Sequence, residues 1–236
     1  MTMITLDQLV TGSTPRLQAY VARPERGGFW PGVVLLHDAA GLDNATRQRA
    51  DRVAESGYLV IAPDLFTDGG PRPSRRRVVT ELRSGAGVSV ADVAAARGWL
   101  IAQGDCTDKI GVIGFGLGGG FALLAAPDFD VCSVNYGPVP AEEALVRACP
   151  VVGSYGRRDL TLPGASLKLA EVMVRHDIAF DIKEYPNAGH GFLDDEPVRM
   201  PWYLRPMRRM MAVGPDPQAA VDAWMRIDGF LGRFLR

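Results

Sequence analysis

Short apolar runs alternate along the chain with longer segments in which apolar residues recur at helical spacing. An uninterrupted apolar run is typical of a strand buried on both faces, and strands that alternate with helices form parallel sheets. The predicted strands are 17–22, 32–36, 58–62, 110–113, 131–135, 150–155 and 180–185. The predicted helices are 44–56, 88–103, 121–126, 165–176 and 217–235. This order predicts an α/β fold with a mostly parallel sheet and helices on both of its faces.

Glycine and proline punctuate this pattern without dividing it into separate parts. Gly57 is placed to end the helix 44–56, and residues 67–73 contain enough of both to predict a surface loop. The arginine-dense stretch 72–77 has the character of a solvated loop or a helix start. The 236 residues contain no repeats, linkers or low-complexity segments and suit a single domain over 1–236.

The composition narrows the class of protein. Apolar residues make up 47% of the chain and charged residues 22%, which is ordinary for a globular domain. The net charge of −1 provides no basic field, so neither nucleic acid nor an anionic membrane is an expected partner. No apolar run approaches the ~18 residues of a membrane span, and the start of the chain lacks the pattern of a signal peptide.

Cysteine and histidine are sparse. The chain has three histidines, too few for a multi-histidine metal site to be expected. The three cysteines lack the spacing of metal ligands and fit a reducing, cytoplasmic location. They are Cys106, Cys132 and Cys149. We therefore expect neither a metal nor an organic cofactor.

Polar and glycine-rich segments follow four of the predicted strands. Ligands of an open parallel sheet bind outside the carboxyl ends of its strands, so these segments are expected to meet around a small-molecule substrate. They are His37-Asp38-Ala39-Ala40-Gly41-Leu42, Gly114-Phe115-Gly116-Leu117-Gly118, Gly156-Arg157-Arg158-Asp159 and Ala188-Gly189-His190-Gly191-Phe192.

The order of the last three segments is that of an α/β-hydrolase triad: a strand-to-helix elbow, then an acid, then a histidine. Gly114 and Gly118 stand two residues either side of the elbow centre, Gly116, where a sharp turn leaves no room for side chains. Asp159 is placed to orient His190, which would be the general base.

Two backbone N–H groups are predicted to form an oxyanion hole. Leu117 follows the elbow centre at the start of a helix, and Ala39 lies in the loop after an earlier strand. Donors in such positions stabilise the negative charge that develops on an acyl oxygen.

Further side chains are expected to bind the substrate or to shape its pocket. They are His37, Tyr136, Phe192 and Trp202. His37 fits the shaping of the oxyanion loop better than a titrating role. Trp202, Tyr203 and the methionines of 207–211 either cover the pocket or pack at the surface, as in a homodimer, and the sequence leaves both interpretations open.

These motifs, with Ala62-Pro63-Asp64-Leu65-Phe66 and Val134-Asn135-Tyr136-Gly137, resemble the dienelactone hydrolase family over most of the chain. The resemblance implies an α/β-hydrolase fold and hydrolysis of lactones or esters through an acyl-enzyme. It assigns the triad acid to Asp159 and the base to His190. It also places Asp38 where the family carries an acidic residue that interacts with the nucleophile.

Two positions depart from the family's pattern. Family members carry a cysteine at the elbow centre, whereas Gly116 has no side chain and cannot be a nucleophile. Members that cleave dienelactone tend to carry an arginine four residues after the histidine, which pairs with the substrate carboxylate. This chain has Asp194 there, so the expected substrate is a small, neutral or weakly polar ester or lactone.

Three interpretations of Gly116 stay open. In the first, His190 and Asp159 act as a general base on a non-covalent path, and such a base is typically worth ~10²–10⁴-fold in rate. In the second, the protein is an inactive homologue that binds a ligand in the same pocket. In the third, the glycine is an engineered knockout of the nucleophile. We favour the first, because an oxyanion hole can operate without the nucleophile.

The elbow also matches a different class of protein. Gly114-x-Gly116-x-x-Gly119 after a strand is the spacing of a dinucleotide-binding loop, which would indicate an NAD(P)-dependent oxidoreductase. That loop requires an acidic residue about 20 positions further on to hold the ribose. Asn135 and Tyr136 stand there instead, so the sequence favours a hydrolase.

Overall fold

A computed structural model of the chain describes residues 1–195 and 205–236. Its strands are β1 (Thr2–Leu6), β2 (Leu17–Ala22), β3 (Trp30–Leu36), β4 (Leu59–Pro63), β5 (Cys106–Phe115), β6 (Val131–Asn135), β7 (Val151–Gly156) and β8 (Phe180–Tyr185). Its helices are α1 (Asn44–Glu55), α2 (Pro71–Ser84), α3 (Val88–Ile101), α4 (Leu117–Ala125), α5 (Ala165–Arg175), α6 (Arg205–Met211) and α7 (Pro217–Leu235).

The strands form one sheet in the order β1-β2-β4-β3-β5-β6-β7-β8. All neighbours from β4 to β8 in this order pair in parallel, whereas β2 is antiparallel to both β1 and β4. The parallel strands therefore end at one edge of the sheet. The loops after β3, β5, β7 and β8 leave from that edge, where ligands of such sheets bind.

The sheet has a hydrophobic core on each of its two faces. Successive side chains of a strand point to opposite faces, so each buried strand contributes to both cores. In β3, Val34 and Leu36 belong to one core, and Val33 and Leu35 belong to the other. Apolar residues of α2 to α5 complete the first core, and residues of α1 and α7 complete the second. All four β3 side chains are fully buried, and burial of such a side chain contributes about 1.5–3 kcal/mol.

The α/β class predicted from the sequence is confirmed, with helices on both faces of a mostly parallel sheet. Every predicted strand and helix is present, with ends that differ from the prediction by a few residues. No helix within residues 1–195 and 205–236 is both long enough and apolar enough to cross a membrane.

Three local predictions were wrong or incomplete. The predicted loop 67–73 is only partly a loop, because α2 begins at Pro71 and continues through the arginine-dense stretch. A proline in the first turn costs little, since its missing N–H has no acceptor within the helix. The helix after the elbow begins at Leu117 and so contains Gly118 to Gly120, whereas the predicted helix began at Phe121. The strand β1 was not predicted, because it is mostly exposed and contains no long apolar run.

Candidate active site

Gly116 lies at the sharp turn between β5 and α4. Its backbone has φ +51° and ψ −118°, a conformation that residues with a side chain rarely adopt. The flanking glycines are required by close backbone contacts. A Cβ on Gly114 would lie 2.1 Å from the carbonyl oxygen of Gly118, and a Cβ on Gly118 would lie 2.4 Å from that of His37. The turn therefore has the shape of a nucleophile elbow.

The open side of Gly116 faces two of the predicted catalytic residues. A Cβ on Gly116 would lie 3.2 Å from Nε2 of His190 and 3.0 Å from Cβ of Asp38. His190 follows β8 and Asp38 follows β3, so the parallel sheet brings three distant segments together at this point. Contacts this short mean that any side chain at position 116 would require its neighbours to shift by a few tenths of an ångström.

His190 and Asp159 form a hydrogen-bonded pair. Nδ1 of His190 lies 2.7 Å from Oδ2 of Asp159, whose side chain is 1% exposed. The second carboxylate oxygen accepts hydrogen bonds from the backbone N–H of Thr161 at 3.0 Å and from its hydroxyl at 2.5 Å. Because an ionised carboxylate only accepts hydrogen bonds, Nδ1 is the donor to Asp159, and in the neutral ring the lone pair is therefore on Nε2. The pair thus has the arrangement of a general base and the residue that orients it.

The end of α6 and the residues after it hold the loops of both members of this pair through backbone hydrogen bonds. Leu160 N–H, next to Asp159, donates to the carbonyl oxygen of Met210 at 2.9 Å. His190 N–H donates to that of Met211 at 2.8 Å, and the His190 carbonyl accepts from Gly214 N–H at 3.3 Å. Sequence reasoning missed this support, because bonds between main-chain groups leave no pattern of side chains.

The two predicted oxyanion donors lie at the start of a helix and in a loop. Leu117 is the first residue of α4, so its N–H has no acceptor within the helix. Ala39 is exposed in the loop after β3, and its carbonyl oxygen accepts a hydrogen bond from Arg75 at 2.9 Å. The carboxylate of Asp38 accepts from Ala40 N–H at 2.6 Å, which closes this loop in a tight turn.

His37 lies inside the fold, beneath the same loop. Its side chain is 1% exposed, its Nε2 accepts from Leu65 N–H at 3.0 Å, and its Nδ1 lies 2.7 Å from the carbonyl oxygen of Asp38. Since Nε2 is the acceptor, Nδ1 is the donor and the ring is neutral. His37 therefore joins the loops after β3 and β4, and both of its nitrogens are used within the protein.

Tyr136 and Phe192 pack together in the same part of the interior and are fully buried. The ring centroid of Tyr136 lies 4.9 Å from that of His190 and 5.6 Å from that of Phe192. Burial raises the pKa of Tyr136 to about 12, and its hydroxyl has no hydrogen-bond partner among the described residues. The structure thus brings Tyr136 to His190, with Phe192 behind it, as packing partners rather than as the wall of an open pocket.

Asp194, four positions after His190, pairs with Arg49 of α1. The Arg49 side chain is 7% exposed and that of Asp194 is 3% exposed. The guanidinium group of Arg49 also lies 4.3 Å from the ring centroid of Phe115. The pair ties the turn after His190 to α1. Sequence reasoning singled out Asp194 but missed Arg49, because two residues 145 positions apart form no local pattern.

The cysteines do not provide a reactive thiolate. Burial raises the pKa of Cys106 to about 11 and that of Cys149 to about 12, and it also raises the pKa of Cys132 well above its usual range. All three are therefore protonated at neutral pH and weakly nucleophilic. Within residues 1–195 and 205–236 no three His, Cys, Asp or Glu side chains are grouped so that they could hold a metal ion.

The segment expected either to cover the pocket or to pack at the surface is described in part. Trp202 and Tyr203 lie outside the described residues. Met207 and Met210, both in α6, are 49% and 51% exposed. The described part of the segment thus presents apolar side chains to solvent.

The chain is similar to proteins of one known family. The model described as "Dienelactone hydrolase family" matches residues 17–235. A Synechocystis protein for which the name carboxymethylenebutenolidase has been suggested is 24% identical over 96% of each chain. A Salmonella typhimurium protein with the same suggested name is 29% identical over 89% of this chain and 80% of its own.

Solved structures share the fold over its whole length. The dienelactone hydrolase from Anabaena variabilis has a TM-score of 0.72 at 17% identity, with 100% of this chain and 99% of its own covered. A dienelactone hydrolase-like promiscuous phosphotriesterase from metagenomic libraries has a TM-score of 0.76 at 20% identity, with the same coverage. The matched residues include the elbow and both loops of the His190–Asp159 pair, and the resemblance seen in the motifs is confirmed. The chain belongs to the dienelactone hydrolase family.

Proposed function

We propose that this protein hydrolyses small, neutral or weakly polar esters or lactones, with His190 as general base and without a covalent intermediate. The proposal is carried by the position of Nε2, 3.2 Å from where a Cβ of Gly116 would lie, while Nδ1 is held by Asp159 at 2.7 Å. The His190 side chain is 15% exposed, so solvent has access to the ring. A base oriented towards an elbow without a nucleophile can act on water instead.

Water is the nucleophile in the proposed reaction. The water oxygen bonds to the acyl carbon as Nε2 of His190 takes one of its protons. The acyl oxygen becomes an oxyanion, for which the N–H groups of Leu117 and Ala39 are the expected donors. The acyl C–O bond then breaks, and the imidazolium returns the proton to the leaving alkoxide. An ester gives an acid and an alcohol, and a lactone gives one hydroxy acid.

The charges around the site favour a substrate without a negative charge. Arg49 is already paired with Asp194, so its guanidinium group is not available to bind a substrate carboxylate. Asp38 lies against the elbow, where its carboxylate would repel an anionic acyl group. The proposed substrates are therefore esters and lactones without a negative charge, and lactones are included because the family hydrolyses them.

A second candidate, a ligand-binding homologue without activity, is favoured by one observation. The elbow centre is a glycine, so the acyl-enzyme chemistry of the family is closed to this chain. Under this alternative, replacing His190 by alanine would leave ligand affinity largely intact, and no ester or lactone would be hydrolysed.

The proposal is tested by measuring hydrolysis of a panel of small aryl esters and lactones by the protein and its His190→Ala variant. His176→Ala is the matched control, because His176 bonds to Glu142 at 3.0 Å and lies at the end of α5. We expect His190→Ala to lower kcat/KM about 100-fold or more, as for loss of a general base, and His176→Ala to have no effect. Equal rates for the protein and its His190→Ala variant would contradict the proposal.

A further inference from the structure

A cavity of about 790 Å³ borders the loop that carries His190. Its wall consists of residues 187–189, residues 212–217 and four arginines. The arginines are Arg158, Arg205, Arg208 and Arg209. This volume lies within the range of about 300–1,000 Å³ that is typical of small-molecule sites. We name this cavity the arginine pocket.

The arginine pocket has a large excess of positive charge. Among the described residues that line it, Asp216 is the one acidic residue, so this described lining carries three more positive than negative charges. The Asp216 carboxylate is used as the N-cap of α7, where it accepts from Ala219 N–H at 3.1 Å. None of the four arginines forms a salt bridge within the described part of the chain. The chain as a whole carries a net charge of −1, so this concentration is local.

We propose that the arginine pocket binds a small multivalent oxyanion, of the phosphate or polycarboxylate class. Guanidinium groups present paired N–H donors that match the oxygens of these anions, and they keep their charge at all physiological pH values. One monovalent anion would offset only a third of the excess charge, whereas a multivalent anion offsets most of it. The N-terminus of α7, which also borders the pocket, adds a weaker attraction of the same sign.

The arginine pocket is separate from the reaction centre but is joined to it through the main chain. Gly116 and the side chain of His190 are not among the described residues that line it. Arg208 and Arg209 belong to α6, whose last residues accept the backbone N–H groups of Leu160 and His190. An anion held by α6 would therefore bind beside the catalytic loops without occupying the place of the ester or lactone.

The test is calorimetric titration with inorganic pyrophosphate at an ionic strength kept constant with sodium chloride. The variant carries Arg208→Gln and Arg209→Gln together, and Arg147→Gln is the control because Arg147 is an exposed arginine outside the pocket. We expect saturable binding of one pyrophosphate per chain. The double variant should bind at least tenfold more weakly, and the control should bind as the original protein does.

Absence of saturable binding, equal binding by the double variant, or equal binding of acetate would overturn the proposal. Circular dichroism and thermal melting without ligand establish that the variants are folded. Because binding is measured as heat and needs no turnover, the result does not depend on the hydrolysis proposed for His190.

Discussion

Arg49 and Asp194 form an ion pair that is almost fully withdrawn from solvent, and this pair fixes the turn after His190 to α1. Isolated charges in such a position would be costly, because each would lose its hydration without compensation. The pair is not fully satisfied either, since Nε of Arg49 and Oδ2 of Asp194 have no hydrogen-bond partner among the described residues. Its main effect is therefore to fix position rather than to add net stability.

Removal of one member of this pair should be far more harmful than replacement of both. Asp194→Ala leaves the Arg49 charge buried alone, and we expect it to lower the free energy of unfolding by about 3–5 kcal/mol. Arg49→Met combined with Asp194→Leu should cost clearly less. Urea unfolding gives both values, and Asp195→Ala, at the exposed neighbouring residue, is the control that should change little. A double variant less stable than Asp194→Ala would show that the ion pair itself is stabilising.

Substitutions at Gly116 should separate the non-covalent from the covalent route. Gly116→Ala places a methyl group 3.2 Å from Nε2 of His190 in a positive-φ backbone, and we expect slower hydrolysis and a loss of about 1–2 kcal/mol of stability. Gly116→Cys places a thiol beside the same nitrogen. Mass spectrometry after mixing with an aryl acetate should show an acetylated protein for this variant and none for the original.

His190→Ala in the Gly116→Cys background is the control for that experiment. Without the imidazole, the thiol should acylate much more slowly at neutral pH, because the unassisted thiol is mostly protonated. Rapid acylation of the original protein, with glycine at the elbow, would contradict the non-covalent route.

Tyr136 should act through its ring and not through its hydroxyl. The hydroxyl is buried without a partner among the described residues, so Tyr136→Phe should raise stability by about 1 kcal/mol and keep the hydrolysis rate. Tyr136→Ala removes the ring that packs 4.9 Å from His190 and should lower both. Thermal melting and ester hydrolysis measure the two effects. A large loss of rate in Tyr136→Phe would show instead that the hydroxyl takes part in the reaction.

Asp222 should contribute stability that depends on pH. Its carboxylate accepts from Lys183 at 2.8 Å and from the hydroxyl of Tyr185 at 2.7 Å, and these bonds lower its pKa. A pKa lowered on folding means that the contribution is present above the unfolded value of about 4 and is lost as the pH falls through the folded value.

The effect of Asp222 is limited by solvent, since its side chain is 38% exposed. We expect Asp222→Asn to cost at most about 1 kcal/mol at pH 7, and less at pH 3. Urea unfolding of both proteins at the two pH values measures the difference. A cost that grows towards pH 3 would contradict the prediction.

Much of the fold follows from local patterns in the sequence. The buried strands β3 and β4 are apolar without interruption, and α7 shows helical spacing from its Asp216 cap to its end. The mostly exposed β1 was missed because only its last residue, Leu6, is buried, so its sequence contains no long apolar run. The start of α2 was missed because the glycines and prolines of 67–73 predict a loop and its first turn contains two of those prolines.

The candidate site was predictable where its chemistry depends on residue type and spacing. Gly116, His190 and Asp159 fall in motifs, and the structure places them together. The partner of Asp194 and the support from Met210 and Met211 depend on contacts between distant segments, which only the folded chain reveals. The burial of individual loop side chains could not be predicted either. The sequence around His37 does not show whether its ring faces solvent or lies within the protein, where the structure places it.

The positive-φ backbone at Gly116 has a consequence for how the site can evolve. The turn has the geometry that a nucleophile needs, because the backbone can pass close to Gly114 and Gly118, which have no side chains. Replacement of this one residue by cysteine or serine would place a thiol or a hydroxyl beside Nε2 of His190. The non-covalent site proposed above is therefore a single amino-acid substitution away from acyl-enzyme chemistry.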